Sequence, residues 1–351
     1  DSDVLPVRFG VNYTSGLVFQ LNQMIFDGSY FVGLKAARTY KMLSEFDNRK
    51  TQVDVRESVK KAYYSVLVND VRQSLVGANL GRLDTLLKET QALYEAGFAE
   101  KIDVSRIKVQ RNNLQTEIAR IEAAREISVE LLKLQMGLPL GYKVELGEKL
   151  TDLVSLDELD ALLMSAGDRR VEVDQLETNI DLVNLDIKYT TSLYIPNLDF
   201  FGTFQRNAAA QSTGLMFQSD RWFTGAFLGL RLQIPVFDGL LKSGQIRQKR
   251  HQLEQLQNQQ VFLEDNIRVE RFQAKTTLKN SILTFQVQDE NRELALEVFR
   301  MAQIKYQEGV GSNLEVVEAD SALKDAENNY FSALYDALIA KVDLEKALGI
   351  L

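Results

Sequence analysis

Side chains able to do covalent or metal chemistry are scarce in this chain. It has no cysteine and one histidine, His251. Thiolate metal sites, disulfides and thiol nucleophiles are therefore unavailable, and a histidine-rich metal site or a Ser-His-Asp triad has nothing to be built from. A helical-bundle metalloenzyme with Glu-x-x-His ligands fails on the same histidine count. His251 lies in the polar stretch Gln248-Lys-Arg-His251-Gln and reads as a solvated surface residue. What remains are carboxylates, hydroxyls and turn residues. Ser312-Asn-Leu-Glu315 has the spacing of a capping box. Glu318 falls in the first turn of the same predicted helix, where the helix dipole favours a carboxylate. Lys and Arg total 41 against 49 Asp and Glu, for a net charge of −8, which argues against a nucleic-acid partner held by phosphate neutralisation.

The residues around Glu315 belong to a pattern that occurs twice. Tyr94-Glu-Ala-Gly97, followed by Ile102-Asp103-Val104, is answered by Tyr306-Gln-Glu-Gly309, followed by Leu314-Glu315-Val316, at an offset of 212 residues. The same frame continues to Met136-Gly137-Leu138 against Leu348-Gly349-Ile350. A second pair of words, ending in Phe26-Asp27-Gly28 and Phe237-Asp238-Gly239, fits at an offset of 211. This period is far longer than that of a solenoid repeat, so the chain reads as two copies, each near half its length. Gly97 and Gly309 are placed as left-handed helix terminators. Tyr94 and Tyr306 are placed to pack at helix ends.

The elements that carry these turns are long. Four prolines in 351 residues leave room for uninterrupted helices. Ser29 to about Leu93 reads as one rod of roughly 95 Å, and a partner helix runs from about Glu100 to Met136. The partner's apolar seam, Val104, Ile107, Leu114, Ile118 and Ile121, has coiled-coil spacing with Arg111 interrupting it. The corresponding seam in copy two is Val316, Ala319, Leu323, Ala326, Tyr330 and Ala333, whose smaller residues imply closer helix approach. The second rod is read from Leu240 to Lys305, and its return helix from Ser312 to Ala347. A short helix at Ser155–Met164 opens on a Ser155/Glu158 capping box. A further helix runs from Asp168 to about Tyr194, ahead of Pro196.

Three stretches alternate with the period of a strand. In the first, Ser15, Leu17, Phe19 and Leu21 share a face. In the second, Leu198, Phe200, Gly202 and Phe204 do so, with a polar loop expected at Asn207–Ser212. In the third, Trp222, Thr224, Ala226, Leu228, Leu230, Leu232 and Ile234 oppose Arg231 and Gln233. No run of about 18 apolar residues marks a transmembrane helix, but a membrane β-barrel leaves no such run. With no amphipathic helix nearby to cover the apolar strand face, lipid is its natural cover. Phe217, Trp222 and Phe223 fit an interfacial aromatic girdle.

Taken together, the doubled Tyr-x-x-Gly turn, the doubled Phe-Asp-Gly and the Tyr194-Ile-Pro196-Asn-Leu198 entry to a strand resemble the TolC-like outer-membrane efflux proteins, in particular a Bacteroidota-type branch. The resemblance covers essentially the whole chain. It implies a mainly α protein with membrane β structure: a trimeric α-barrel of coiled-coil helices beneath a shared outer-membrane β-barrel. Residues 1–27 and 196–237 would give barrel strands, and 28–137, 167–195 and 238–351 the α-barrel helices. Residues 138–166 would form an equatorial insert, together with the chain's end. A fourth strand and its preceding helix would lie before Asp1.

The function implied is a passive outer-membrane exit duct with a long periplasmic extension. It would work with a periplasmic membrane-fusion adaptor and an inner-membrane pump of the RND or ABC type, with no enzymatic step and no cofactor. The family's pore-constricting carboxylates fall on Glu315 and Glu318. Its closing contacts fall on Asp103 and Tyr306, while its arginine position is Gly311, which removes the ionic latch. Tyr94, Gly97, Gly309 and Gly311 would shape the turns where the adaptor docks. The competing reading is a coiled-coil scaffold without a pore. The long alternating strands tell against it, because a scaffold has no use for a lipid-like face.

Overall fold

The computed structural model describes residues 10–139, 141–147, 150 and 156–351. The expected Ser155 cap lies outside them. The elements in chain order are β1 (Tyr13–Phe26), α1 (Gly28–Glu95), α2 (Lys101–Met136), α3 (Leu156–Met164), α4 (Val171–Ser192), β2 (Asn197–Ala210), β3 (Trp222–Gln233), α5 (Leu241–Gln307) and α6 (Asn313–Leu348). They fall into two compact units, one of residues 1–44 with 176–259 and the other of 45–175 with 260–351.

The first unit holds a three-stranded antiparallel sheet in the order β1-β2-β3. Its register aligns Leu21, Gly202 and Leu228 across the three strands, and likewise Phe19, Phe204 and Ala226. Since paired residues point to the same side, Leu17, Phe19, Leu21, Phe200, Phe204, Leu228, Leu230 and Leu232 form one face. Most of that face is bare, and Leu228 is 78% exposed. The opposite face carries Gln20, Asn22, Asp199, Thr203, Gln205, Arg231 and Gln233, together with the apolar Val18, Met24, Phe223 and Phe227. On that side Gly229 leaves space for the Phe201 ring, whose Cζ would lie 2.7 Å from an added Cβ, and Arg231 stacks over the same ring at 5.3 Å.

Two expectations need correction here. The loop predicted at Asn207–Ser212 is strand as far as Ala210, because Ala208, Ala209 and Ala210 continue the ladder against Ser15, Thr14 and Tyr13. Small polar-flanked residues resemble a loop in sequence, but these three have a partner strand to pair with. The second rod starts one residue late, since Gly239 and Leu240 both have positive φ. At the first rod Asp27 caps the helix directly, its Oδ1 accepting from the Ser29 amide at 2.7 Å.

Among the described residues the second unit is helix apart from connections. Near one end Leu83 and Leu86 of α1, Ile107, Leu114 and Ile121 of α2, Phe299 of α5, and Val316 and Leu323 of α6 form a single core. Heptad spacing makes this possible, as positions seven apart on a helix return to the same face. Arg111 interrupts the α2 seam by turning to Asp84 of α1, Nε to Oδ1 2.5 Å. A second core joins Tyr64, Leu67 and Val68 to Phe331, Leu334 and Leu338. The helix expected from Asp168 begins at Val171, because the residue at its expected start is tied to other elements. The Asp168 amide donates to Leu348 O at 2.7 Å, and Arg271 Nη2 donates to Asp168 O at 2.5 Å. Close by, Lys60, Lys61 and Lys346 bind Asp54, Glu57, Asp343 and Glu345 at 2.5–3.1 Å.

Candidate functional site

The two helix turns lie at the end of the second unit beyond the four-helix core. Both close with the same hydrogen bonds. Gly97 N–H donates to Tyr94 O at 3.0 Å and Phe98 N–H to Leu93 O at 2.8 Å, while Gly309 and Val310 bond to Tyr306 and Lys305 at 3.1 and 3.0 Å. This is the Schellman arrangement, whose C′ residue must be left-handed. Gly97 and Gly309 supply it at φ +84° and +74°. The residue after each glycine usually packs back on its own helix. Here Phe98 is 83% and Val310 79% exposed, so each turn presents an apolar knob. Sequence reasoning missed both knobs, although their place directly after the terminating glycine marks them.

A groove between the turns is lined by Phe98, Asp103, Arg106, Tyr306, Gly311 and Asn313 among others. Asp103 and Tyr306 thus share a groove but not a hydrogen bond. The Asp103 carboxylate accepts from the Glu100 amide at 3.1 Å, part of a reciprocal capping box that starts α2, and it lies 3.8 Å from Arg106 Nη1. The Tyr306 hydroxyl is instead 3.4 Å from Thr90 Oγ1. Next to it Gln307 reaches Glu89 at 3.3 Å, so the end of α5 is tied to the end of α1. Tyr94, the sequence counterpart of Tyr306, is exposed.

Gly311 is compact for a local reason. A Cβ there would meet Lys305 Cβ at 2.8 Å and the Lys305 and Tyr306 backbone at 3.1 Å. The glycine lets the turn fold against the last residues of α5, and an arginine would not fit without moving them.

Beyond Gly311 the turn enters α6. Ser312 caps it, its Oγ accepting from the Glu315 amide at 3.2 Å. Only the serine half of the predicted capping box is described, so the Glu315 carboxylate stays in solvent. Glu315 and Glu318 are both exposed, and with Ala322, Asp325, Asn329, Ser332 and Asp336 they form an exposed stripe spaced three and four residues apart. Asn313 is the opposite case. It is 3% exposed and neither side-chain polar atom has a partner.

Deeper in the same bundle, sequence reasoning overlooked a buried polar cluster. Glu327 occupies a seam position of α6, 6% exposed, and accepts from Asn79 Nδ2 at 2.6 Å, with Arg82 bonded to the same asparagine. Burial pushes the carboxyls of Glu327 and of nearby Asp320 above the usual range, while Arg82 pulls both back in part. Among the described residues no group of three or more His, Cys, Asp or Glu is arranged to hold a metal ion.

The family model for outer membrane efflux proteins matches residues 162–350. The chain belongs to that family. TolC of Salmonella enteritidis is 21% identical over 342 residues, 95% of this chain and 68% of that protein. The probable efflux pump outer membrane protein TtgC of Pseudomonas putida is 22% identical over 360 residues, 98% of this chain and 72% of the relative. The crystal structure of the outer membrane protein VceC from Vibrio cholerae shares the fold at a TM-score of 0.71 and 14% identity, covering 96% of this chain and 87% of that one. As an outer membrane efflux protein, the chain has an environment for its bare sheet face in the membrane. The groove and the α6 stripe then belong to the helical end of a channel protein.

Proposed function

We propose that this chain is one protomer of a trimeric outer-membrane exit duct, a passive conduit that docks to a periplasmic adaptor and an inner-membrane pump of the RND or ABC type. The observation that carries the reading is the register of the sheet, which gathers eight apolar side chains, with Gln23 and Arg206 beside them, on one uncovered face and most of the polar ones, with Val18, Phe201 and Phe227 among them, on the other. The three strands among the described residues cannot close a barrel by themselves, and an open membrane sheet would leave unpaired edges in hydrocarbon. A barrel shared among several copies would pair those edges. In this reading residues 1–27 and 196–237 give barrel strands, 28–137, 167–195 and 238–351 the helical barrel, and 138–166 the equatorial insert.

The exposed α6 stripe faces the lumen, so that Glu315 and Glu318 form two acidic rings near the entrance. Asp103, Tyr306 and Gly311 shape the closing turns without an ionic latch. Phe98 and Val310 are the knobs, and Asn313 the polar socket, that an adaptor segment meets. An inserted peptide group offers one donor and one acceptor, the pair that the Asn313 amide lacks. Sedimentation of the detergent-purified protein, followed by planar-bilayer recording, tests the reading. A three-fold oligomer with steady conductance is expected. A detergent-free soluble monomer or dimer would overturn it.

A further inference from the structure

In the second unit, well along the helices from the turns, a cavity of about 260 Å³ opens between α1, the residues leading into α4 and the end of α6. Its lining includes Arg49, Arg56, Arg169, Arg170 and Lys346 against two acidic side chains, Glu172 and Asp174. The whole chain carries a net charge of −8, so a cationic cavity runs against its general character. The carboxylates are already engaged. Glu172 Oε1 is 2.7 Å from Arg170 Nη2 and Asp174 Oδ1 is 2.6 Å from Arg169 Nε. Lys346 is likewise spent on Asp54 and Glu57, at 3.1 and 2.5 Å.

Two guanidiniums are left over. Among the described residues Arg56 has no hydrogen bond, ion pair or ring contact, and Arg49 only rests over the Phe46 ring at 5.6 Å. They stand seven residues apart on α1, on one face and about 10 Å apart along the axis. That span is too long for one small oxyanion to be gripped by both side chains in extended form, and it suits two oxyanion groups on one molecule. Each planar guanidinium offers parallel donors that match a phosphate or a carboxylate.

We propose that this cavity binds a small ligand carrying two oxyanion groups, phosphate or carboxylate, one held by Arg49 and the other by Arg56. The proposal is independent of the duct reading, since it needs neither the pore nor the turns. Isothermal titration of the full, detergent-purified oligomer with pyrophosphate and with glutarate tests it. One saturable site per protomer is expected for at least one probe. Pyrophosphate alone would assign phosphate, glutarate alone carboxylate, and both a site that accepts either oxyanion. Orthophosphate should bind about tenfold more weakly than the better probe, having lost one of two charge-assisted grips. R49Q/R56Q should weaken binding by about tenfold or more, and R56K by less, because lysine keeps the charge and loses the fork. The R56K protein also reads the site if the double variant assembles poorly. Absence of binding by both probes, binding unchanged in R49Q/R56Q, or orthophosphate binding as tightly as the better probe would overturn the proposal.

Discussion

At Asn313 a buried amide ends with neither oxygen nor nitrogen paired, a state that costs about 1–3 kcal/mol for a buried polar group. Asn313→Leu should therefore raise the stability of the adaptor-free protein by about 1–2 kcal/mol, read by thermal unfolding. The same change should weaken capture of the co-purifying adaptor by about tenfold, since a docked peptide group would lose both its partners. Stabilisation with adaptor affinity intact would make Asn313 a packing defect and not a socket. Gly311 makes a second residue-scale test. Gly311→Ala should destabilise by about 1–3 kcal/mol, the scale of overpacking, and Gly311→Arg should do no less instead of supplying a latch. If circular dichroism melts show either variant at parent stability, the close approach to Lys305 does not constrain the turn. Both glycine terminators were legible in sequence because their conformation is a property of one residue. The loose Asn313 amide was not, because burial of the first residue of α6 is decided by what folds over it and not by its own neighbours in sequence.

Elements were read well where one periodicity governs them. The rods, the return helices and the alternating strands depend on local pattern, and their ends fall within a few residues of the glycines and Asp-Gly words that punctuate them. The misread places are those where a distant partner decides. Ala208–Ala210 became strand through β1, and Asp168 stayed outside the helix through its bonds to Leu348 and Arg271. The bare strand face carries its own prediction: Leu230→Arg should cost about 2–4 kcal/mol, the scale for a charge on a barrel's lipid face, as measured by urea unfolding in lipid vesicles. An effect below that range would mean that water, not lipid, covers the face.

The helices also hold two pH levers of opposite sign. Burial raises Glu327, so its contribution is fully present below the unfolded value of 4.5 and is lost as pH rises through the folded value. Glu57 is penalised by partial burial, yet hydrogen bonds from Lys346 and Lys61 hold it below its usual range. Its contribution is present above 4.5 and is lost as pH falls through the folded value. Glu327→Gln should then stabilise at pH 8 by a margin that shrinks as pH falls toward 4.5, because glutamine can still accept from Asn79 without the buried charge. Melting curves across that range check it, and a margin that stays constant or grows on acidification would contradict the buried-charge account.

At the scale of the whole molecule, the acidic stripe on α6 acquires meaning only through copies that one chain does not contain. In the proposed trimer Glu315 and Glu318, three residues apart and on one exposed face, become two rings of three carboxylates about one helical turn apart. Like charges gathered at a narrow entrance repel unless a cation sits among them, and the same field disfavours anions. The cap on α6 does not compete for these charges, because Ser312 accepts from the Glu315 backbone and not from its side chain. Neutralising both residues should therefore leave the fold nearly intact, at a cost of about 0.3–1 kcal/mol for each carboxylate removed from a helix start. Glu315→Gln/Glu318→Gln should nevertheless abolish cation block of single-channel current and reduce cation preference, with each single variant showing part of the effect. Glu308, just before the Gly309 turn and outside the stripe, is the control whose neutralisation should change little. Planar-bilayer recordings in symmetric and asymmetric salt separate the outcomes. If the double variant keeps the parent selectivity and block, the stripe does not line the narrow part of the pore, and the constriction belongs to another face of the turns.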